Sequence, residues 1–323
     1  MATLQTIKES LAPDLRLLDD LVRRQLSTSN KLMDNVMDHY LKTKGKMIRP
    51  IIVMLTARMF GSITPKVLSA AASVELLHNA TLIHDDVVDQ SLTRRGVPTI
   101  NAIWDNHIAV LVGDYFVSSA LQLAISTGDI RIIDSICFLG KQLSLGEIDQ
   151  IYNARFHTIT EEAYNQIIKY KTASLFVSCA QMGCYASGVD DERLTAMCRY
   201  AELLGLCFQI RDDIFDYYAD ESEIGKPTGN DLREGKITLP LIHALLHGDD
   251  VEMRNLSQKE QLTDHEIALL VEYAHRMGGI DYAYTKMERM RDEAVDIINK
   301  VFVDNAGKDN LIELFDYVIK RRS

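Results

Sequence analysis

Proline and glycine are scarce in this chain, whose 323 residues include six prolines and 17 glycines. The alternation of apolar and polar residues that marks half-buried strands is missing, and so are the turn pairs that join hairpins. Apolar residues instead recur at spacings of three and four. The sequence therefore predicts an all-α protein, a single-domain bundle of about ten or more helices over residues 1–323 around a central cavity.

Positive charge is also in short supply, because 35 Lys and Arg stand against 46 Asp and Glu and the formal net charge is −11. This balance excludes nucleic acid as a partner, since a nucleic-acid-binding protein needs a basic stripe to neutralise phosphates. Diphosphate substrates stay open, because a few basic side chains and a divalent metal overturn an acidic background locally.

Cysteine pairs and long apolar runs are missing too. None of the five cysteines forms a CxxC pair, and their odd number favours buried thiols in a reducing compartment over disulfides or a zinc site. The N-terminus has no apolar signal core, and no stretch reaches the roughly 18 uninterrupted apolar residues of a membrane span. We therefore expect a cytoplasmic protein without a membrane span.

Helix start signals divide the chain into long helical runs. A hydroxyl or carboxylate cap precedes several of them, as at Thr64-Pro65, Thr160 and Asp190. The predicted helical runs are 67–89, 99–128, 130–155, 160–187 and 190–218. The segment 219–235 is rich in Gly and charge and is predicted to be a loop able to cover a site.

Two acidic clusters interrupt this apolar pattern. Asp85-Asp86-Val87-Val88-Asp89 closes a long apolar helix, and its first and last carboxylates share one helix face. Three carboxylates at a helix C-terminus repel one another and oppose the helix dipole. Mg²⁺ would stabilise them, because it takes oxygen ligands and bridges carboxylates to phosphates. Asp212-Asp213-Ile214-Phe215-Asp216 repeats the spacing; one copy is equally typical of a solvated helix end, but two favour a metal site.

Basic residues suited to a diphosphate lie at scattered positions. Arg offers paired donors to phosphate oxygens, and Lys acts as a mobile point charge. Each residue taken singly is more typical of a solvated surface. The candidates are Lys46, Arg49, Arg94, Arg95, Lys171, Lys226 and Lys236.

Over most of its length the chain resembles the trans-isoprenyl diphosphate synthases. That family has two DDxxD motifs on facing helices of an all-α bundle, here at 85–89 and 212–216. The matching segments are GKMIRP at 45–50, ELLHNATLIHDDVVDQSLTRRG at 75–96, KTASLF at 171–176 and GKPTGNDLREGKITLP at 225–240. The resemblance implies a homodimeric, Mg²⁺-dependent transferase that condenses isopentenyl diphosphate head-to-tail onto a farnesyl- or geranyl-type allylic diphosphate.

The resemblance also implies roles for individual residues. The Mg²⁺ ligands would be Asp85, Asp89 and Asp212, with about three ions per site when substrate is bound and with support from Asp86, Asp213 and Asp216. The allylic diphosphate would be held by Arg94, Lys171, Lys226 and Lys236. Isopentenyl diphosphate would be bound by Lys46, Arg49, His78 and Arg95, although a lone histidine on a helix is more often structural. Thr172 and Gln209 would line the path of the allylic cation.

Product length depends on the helix below the first cluster. Thr81 and Ala80 lie four and five residues before Asp85, about 6–7.5 Å down the helix at 1.5 Å per residue. The resemblance implies that short-chain members have an aromatic floor there. Ala80 and Thr81 are small, and Leu77 one turn further is moderate in size. The sequence thus predicts a long all-trans product of about thirty to fifty carbons, of the type used for quinone side chains.

Other readings stay open at this point. Phe138 or Phe116 on a neighbouring helix would close the pocket earlier and give a geranylgeranyl or farnesylgeranyl product. The chain would also suit the catalytic subunit of a heteromeric synthase. Terpene cyclases and head-to-head condensing enzymes resemble it less, because the former lack the second DDxxD and the latter have differently built acidic motifs.

Overall fold

The computed structural model describes residues 4–41, 45–156, 160–218, 229–302 and 307–321. The first half of these residues forms α1 (Leu4–Ser10), α2 (Ala12–Leu26), α3 (Lys31–Tyr40), α4 (Ile48–Phe60), α5 (Pro65–Val88), α6 (Ile100–Ile103), α7 (Asn106–Ser126), α8 (Ile130–Phe156) and α9 (Glu161–Ile168). The predicted all-α class is confirmed.

The second half begins with one π-helical turn, Lys169–Ala173, which continues α9 into the next helix. It then forms α10 (Ser174–Ser187), α11 (Asp191–Phe215), α12 (Asn230–Arg233), α13 (Leu239–His247), α14 (Val251–Leu256), α15 (Asp264–Arg276), α16 (Gly279–Val301) and α17 (Lys308–Lys320). Within the described ranges, the strand content is one antiparallel pair, β1 (Thr93–Arg94) with β2 (Val97–Pro98). This short pair was not predicted.

The predicted helix starts agree with the structure because their side chains cap free backbone N–H groups. Thr64 accepts from the amide of Val67 at the start of α5, and Thr160 and Asp190 accept in the same way at α9 and α11. The predicted single run over 99–128 is wrong. The chain breaks at Asp105, whose φ of 146° no helix allows, and α7 begins anew there with the Asp105 carboxylate as its cap.

Helix α5 lies at the centre of the bundle and packs against α2, α4, α7 and α10. Its contact with α7 is close because Gly113 has no side chain: a Cβ there would lie 2.2 Å from Nε2 of His84. A second close contact joins α11 to the π-helical turn, where a Cβ on Gly205 would lie 2.6 Å from Cα of Ala173. These small residues bring the helices that carry the two acidic clusters into one tightly packed core.

Helix α7 is long and apolar enough to cross a membrane by length and composition, with a mean hydropathy of 1.7. In this fold it packs along α5, and 44% of that stretch is buried inside the protein. The core helix of a water-soluble protein can meet the same criterion of length and composition.

Candidate active site

Asp85 and Asp89 end α5 on one face, and both carry carboxyl groups whose pKa is raised. Burial is the main cause for Asp85, whose pKa rises to about 6, with Lys171 opposing the shift and Glu147 adding to it. Burial also raises the pKa of Asp89, again against a nearby lysine, Lys236. The nearby lysines therefore do not fully offset the burial of these carboxyl groups. A divalent cation beside them would stabilise their ionised form.

Asp86 is buried and has a structural partner. Its residue is 7% exposed, and its Oδ1 accepts from Nε of Arg94 at 2.8 Å and lies 2.7 Å from Nη2 of the same guanidinium. Such a two-nitrogen contact fixes the plane of the guanidinium. The middle residue of the first cluster thus positions Arg94, which the sequence predicts to hold a diphosphate.

Helix α8 contributes two polar side chains that sequence reasoning missed. Nζ of Lys171 lies 2.5 Å from Oε2 of Glu147 and donates to Oε1 of Gln150 at 3.0 Å. Lys171 can approach α8 closely because Gly146 has no Cβ, which would lie 2.8 Å from the Lys171 amide nitrogen. The sequence signal was available: one turn of α8 carries Gly, Glu and Gln at 146, 147 and 150.

The second cluster is tied into a chain of hydrogen bonds behind the cavity. Oγ1 of Thr172 donates to Oε1 of Gln209 at 2.7 Å, and Nε2 of Gln209 donates to Oδ1 of Asp213 at 2.7 Å. The hydroxyl of Tyr164 donates to the other oxygen of Asp213 at 2.6 Å. Burial raises the pKa of Asp213, and a second carboxylate at Asp231 raises it further. Thr172 and Gln209 are thus brought together as expected, while Tyr164 was missed.

Asp216, directly after α11, binds the backbone of the next described segment. Its two carboxylate oxygens accept from the backbone N–H groups of Asn230 and Asp231, each at 2.9 Å, and its carbonyl accepts from the Gly229 N–H at 2.9 Å. These contacts hold the start of α12 against α11. Lys226 and most of the loop predicted over 219–235 lie outside the described residues; of that loop, 229–235 forms α12 and its end.

Lys236 follows directly and reaches the site from this segment. Its amide donates to the carbonyl of Asp231 at 2.8 Å, and its Nζ contacts Oε2 of Glu234. Burial opposes the charge on Lys236, but Glu234 and the neighbouring carboxylates outweigh it and raise the pKa. The lysine is therefore charged at neutral pH, close enough to Asp89 for each to shift the other.

Asp212 begins the second cluster and is paired with the end of the chain. Nη2 of Arg321, directly after α17, lies 2.7 Å from Oδ1 of Asp212. The carboxylate is 40% exposed, whereas the Arg321 side chain is 4% exposed. From the sequence, the run Lys320-Arg321-Arg322 either folds over the isopentenyl diphosphate site or is a solvated tail, the more typical state. The structure places Arg321 on Asp212.

A basic patch lies on the other side of α5, where the sequence predicts isopentenyl diphosphate to bind. Burial lowers the pKa of His78 well below its usual 6.5, and Arg49, Arg95 and Arg94 add to the effect, so the imidazole is neutral at pH 7. Burial also lowers the pKa of Lys46, with Arg321 as the next cause. The four predicted residues Lys46, Arg49, His78 and Arg95 therefore share one electrostatic environment.

Glu75 is the counter-charge of this patch, and sequence reasoning missed it. The residue is 8% exposed, and burial raises its pKa against the opposing effects of Arg49 and Arg95. Oε2 of Glu75 and Nε of Arg49 are both buried and find no hydrogen-bond partner among the described residues. Glu75, Arg95, Asn79 and Gly45 line one cavity of about 240 Å³ together.

The donors for a metal ion are all oxygens, as Mg²⁺ requires. Among the residues that the structure describes, no three Asp, Glu, His or Cys side chains form a group able to hold an ion alone. Mg²⁺ usually binds through one or two carboxylates plus substrate phosphates. Asp85 and Asp89, with their raised pKa values, fit that kind of site, which a diphosphate completes.

A cavity of about 170 Å³ lies beside these groups, between α8, α9, α11 and the segment after α12. Polar groups already described face it from several helices, together with the apolar Ile167, Ile168 and Ile242. The polar residues are Gln150, Asn153, Tyr164, Lys171, Thr172, Gln209, Asp213, Asp231, Lys236 and Thr238. Apolar walls with converging polar groups are typical of a small-molecule site.

The three residues predicted to set product length, Leu77, Ala80 and Thr81, differ in burial. Thr81 is half-buried one turn below Asp85, and its hydroxyl donates to the carbonyl of His78 at 2.8 Å. Ala80 is completely buried, and at i, i+4 from His84 it shares the face that packs on α7. Leu77 is 5% exposed.

The two phenylalanines considered as alternative walls lie apart. Phe116 is buried and packs edge-on against Tyr40, with ring centroids 5.3 Å apart. Phe138 is 58% exposed and lines a surface groove with Val177 and Cys198. Phe138 therefore lies outside the interior of the bundle.

Comparisons with known proteins give related sequences and structures. A family model described as Polyprenyl synthetase matches residues 30–274. Octaprenyl diphosphate synthase of Escherichia coli is 33% identical over 98% of this chain and 99% of its own. A crystal structure of a decaprenyl diphosphate synthase from Rhodobacter capsulatus is 33% identical, with a TM-score of 0.91 over 99% of both chains.

A geranylgeranyl pyrophosphate synthase from Bacteroides thetaiotaomicron is also similar, at 36% identity and a TM-score of 0.84 over 98% of both chains. Members of this family that differ in product length thus share its fold. With two acidic clusters, a basic patch and a matching family model over most of its length, the chain belongs to the polyprenyl synthetase family of prenyltransferases.

Proposed function

We propose that this enzyme is a Mg²⁺-dependent trans-prenyltransferase that adds isopentenyl diphosphate units to an allylic diphosphate and makes a long all-trans polyprenyl diphosphate. The carrying observation is the pair of unneutralised carboxylates, Asp85 and Asp89, opposite Lys171 and Lys236. Residues 1–323 act as one domain in this proposal, in the cytoplasm, and the product supplies quinone side chains.

Diphosphate leaves only when its charge is neutralised, which basic side chains and bound Mg²⁺ supply. Asp85, Asp89 and Asp212 hold about three ions with the substrate, and Lys171, Lys236 and Arg94 contact the remaining phosphate oxygens. Asp86 orients Arg94 through its two-nitrogen contact. Glu147 and Gln150 orient Lys171 before substrate arrives.

The allylic C–O bond then breaks, and the resulting cation is attacked by the double bond of isopentenyl diphosphate bound nearby. The oxygens of Thr172 and Gln209 face the cavity and favour positive charge in the path of the cation. Lys46, Arg49, Arg95 and neutral His78 hold the second diphosphate. Proton loss from the new chain completes the unit, and the released diphosphate accepts that proton.

Two copies form the working unit in this proposal, joined through α7 and α8. Large apolar side chains are exposed on both helices, with Leu111 and Ile125 on α7 and Ile148 and Tyr152 on α8. An exposed apolar face of this extent marks an interface. Ile148 is the neighbour of Glu147, so a partner covering it would also steady the α8 turn that contacts Lys171.

The dimer is tested by light scattering after gel filtration. Ile148→Asp is expected to convert dimer to monomer, because it buries an unpaired charge in the interface. Asn255→Asp, at an exposed position of α14, adds the same charge on another helix as a matched control. A monomeric wild-type enzyme would overturn the dimer while leaving the chemistry untouched.

The first experiment incubates purified protein with Mg²⁺, farnesyl diphosphate and labelled isopentenyl diphosphate, and separates the dephosphorylated products by length. A ladder reaching about thirty carbons or more supports an open pocket below Asp85, which at 1.5 Å of helix per residue extends beyond Thr81. Thr81→Phe is expected to shorten that ladder, whereas Thr81→Val keeps the volume and leaves it unchanged.

A shorter product is the second candidate, favoured by the 36% identity to a geranylgeranyl pyrophosphate synthase. It predicts a single short product in the same assay, and Thr81→Phe then shortens it little. Absence of incorporation by folded, metal-loaded protein would point instead to a catalytic subunit that needs a second chain.

A further inference from the structure

Arg321 is held firmly at the second acidic cluster from several sides. Its carbonyl oxygen accepts from Nε and Nη2 of Arg211 at 3.0 and 2.7 Å, and its amide donates to the carbonyl of Tyr317 at 2.9 Å. Its guanidinium carbon lies 3.9 Å from the ring centroid of Phe208. Arg321 is thus anchored in the core and is not solvated.

From this anchor the guanidinium reaches one carboxylate of the cluster. Nη2 of Arg321 donates to Oδ1 of Asp212 at 2.7 Å and to the carbonyl of Phe208 at 2.9 Å. Its neighbour Lys320 points elsewhere, with its Nζ 3.3 Å from Asp316 and its side chain 63% exposed. The contact with Asp212 therefore belongs to Arg321 alone among the described residues of this helix end.

A cation already lies on an oxygen that the proposed function assigns to a metal ion. A guanidinium that donates to this oxygen competes with a Mg²⁺ ligated to it, since the two cations repel each other and share its lone pairs. Asp85 and Asp89 show no comparable ion pair in the described part of the chain, and Asp86 pairs with an arginine on the side away from them.

We infer that Arg321 occupies Asp212 in the substrate-free enzyme as a substitute cation, and that divalent metal must displace it to bind there. Metal binding and release of the C-terminal end are then two sides of one equilibrium. By linkage, the free energy by which the Arg321 contact stabilises the metal-free cluster makes metal binding less favourable by the same amount. This inference depends on the proposed metal role of Asp212.

The test measures Mn²⁺ affinity without substrate, by the loss of the free-ion signal in electron paramagnetic resonance. Arg321→Gln is expected to bind Mn²⁺ about fivefold to tenfold more tightly, the lower range of coupling between competing ligands. Lys320→Gln removes the same charge from the adjacent residue and is expected to bind as wild type. Unchanged or weaker binding by Arg321→Gln would overturn the inference.

Asp212→Asn separates this inference from the proposed function. Weaker Mn²⁺ binding by Asp212→Asn with unchanged binding by Arg321→Gln leaves the metal role standing and removes only the displacement by Arg321. Binding by Asp212→Asn equal to wild type removes both, because the aspartate then holds no metal.

A measurement on the unmodified protein covers the case in which Arg321→Gln fails to fold. Hydrogen exchange is followed at the amides of residues 317–321 with and without saturating Mn²⁺. Displacement predicts faster exchange at the Arg321 amide with metal, while amides of α4 keep their rate. Equal or slower exchange at Arg321 with metal would contradict it.

Discussion

The two acidic clusters have the same spacing of aspartates and differ in how each aspartate is used. On α5 the first and last residues, Asp85 and Asp89, have raised pKa values and lie near Lys171 and Lys236. On α11 the first residue is paired with an arginine, the middle one is buried under a tyrosine, and the last one caps α12. The repeated motif therefore produces one cluster with two unpaired carboxylates, which we propose as the metal-binding face, and one cluster built largely into the scaffold.

The difference arises from what packs behind each helix end. Behind α5 the chain turns through the short β pair, which carries one arginine back to Asp86. Behind α11 lie α9, α12 and the end of α17, and each contributes a donor to a different aspartate. A carboxylate surrounded by donors is already satisfied and has less to gain from a metal ion.

The largest expected effect comes from Asp85, where the comparison predicts a direct contact with metal. Asp85→Asn should lower kcat about 10²–10³-fold, because the lost charge stabilises the metal that neutralises the leaving diphosphate. Steady-state kinetics with saturating Mg²⁺ measure it. Asp134→Asn, an exposed carboxylate on α8, is the matched control. A decrease of less than tenfold would show that the first cluster is not the main metal site.

Asp216 is predicted to affect binding more than chemistry. Asp216→Ala removes the acceptor for the amides of Asn230 and Asp231, so the segment that presents Lys236 is held less firmly. We expect KM for the allylic diphosphate to rise about fivefold and stability to fall by about 1 kcal/mol, as for other lost caps. Asp216→Asn keeps an acceptor oxygen and should restore much of both. An unchanged KM in Asp216→Ala would place this aspartate with the metal ligands instead.

Tyr164 tests whether the middle aspartate of the second cluster is structural. Tyr164→Phe leaves one oxygen of Asp213 without its donor, and we expect about 1–2 kcal/mol less free energy of unfolding. Urea denaturation compares it with Tyr152→Phe, which alters an exposed tyrosine. If the free energy of unfolding decreased equally in both variants, or in neither, the hydroxyl of Tyr164 would have no special role.

The smallest effect concerns pH and the buried His78 on the arginine-rich side of α5. The pKa of His78 is lowered from 6.5 in the folded chain, so below about pH 6.5 the unfolded chain binds a proton that the folded one does not. Folding stability should therefore fall as pH falls through that value. Thermal unfolding between pH 5 and 8 measures this, and His78→Gln should flatten the slope. An identical slope in the variant would assign it to other groups.

Much of the scaffold was predictable because its signals are local. Caps at Thr64, Thr160 and Asp190 and the spacing of apolar residues mark helix starts without reference to the rest of the chain. The break at Asp105 was missed, since the surrounding composition stays helical and only the packing of α7 on α5 requires a turn there. Clusters of aspartate at fixed spacing were likewise visible, because like charges beside apolar residues need a partner.

The sequence by itself determined the all-α class, the two acidic clusters and the basic residues around them, since periodicity and charge patterning depend on near neighbours. Only the tertiary structure decided which aspartate holds Arg94, which is buried against Tyr164, and which pairs with Arg321, 109 residues further along the chain. Those assignments depend on distances between helices remote in sequence. A carboxylate has the same chemistry in every position, and its burial and partners decide whether it binds a metal or supports the fold.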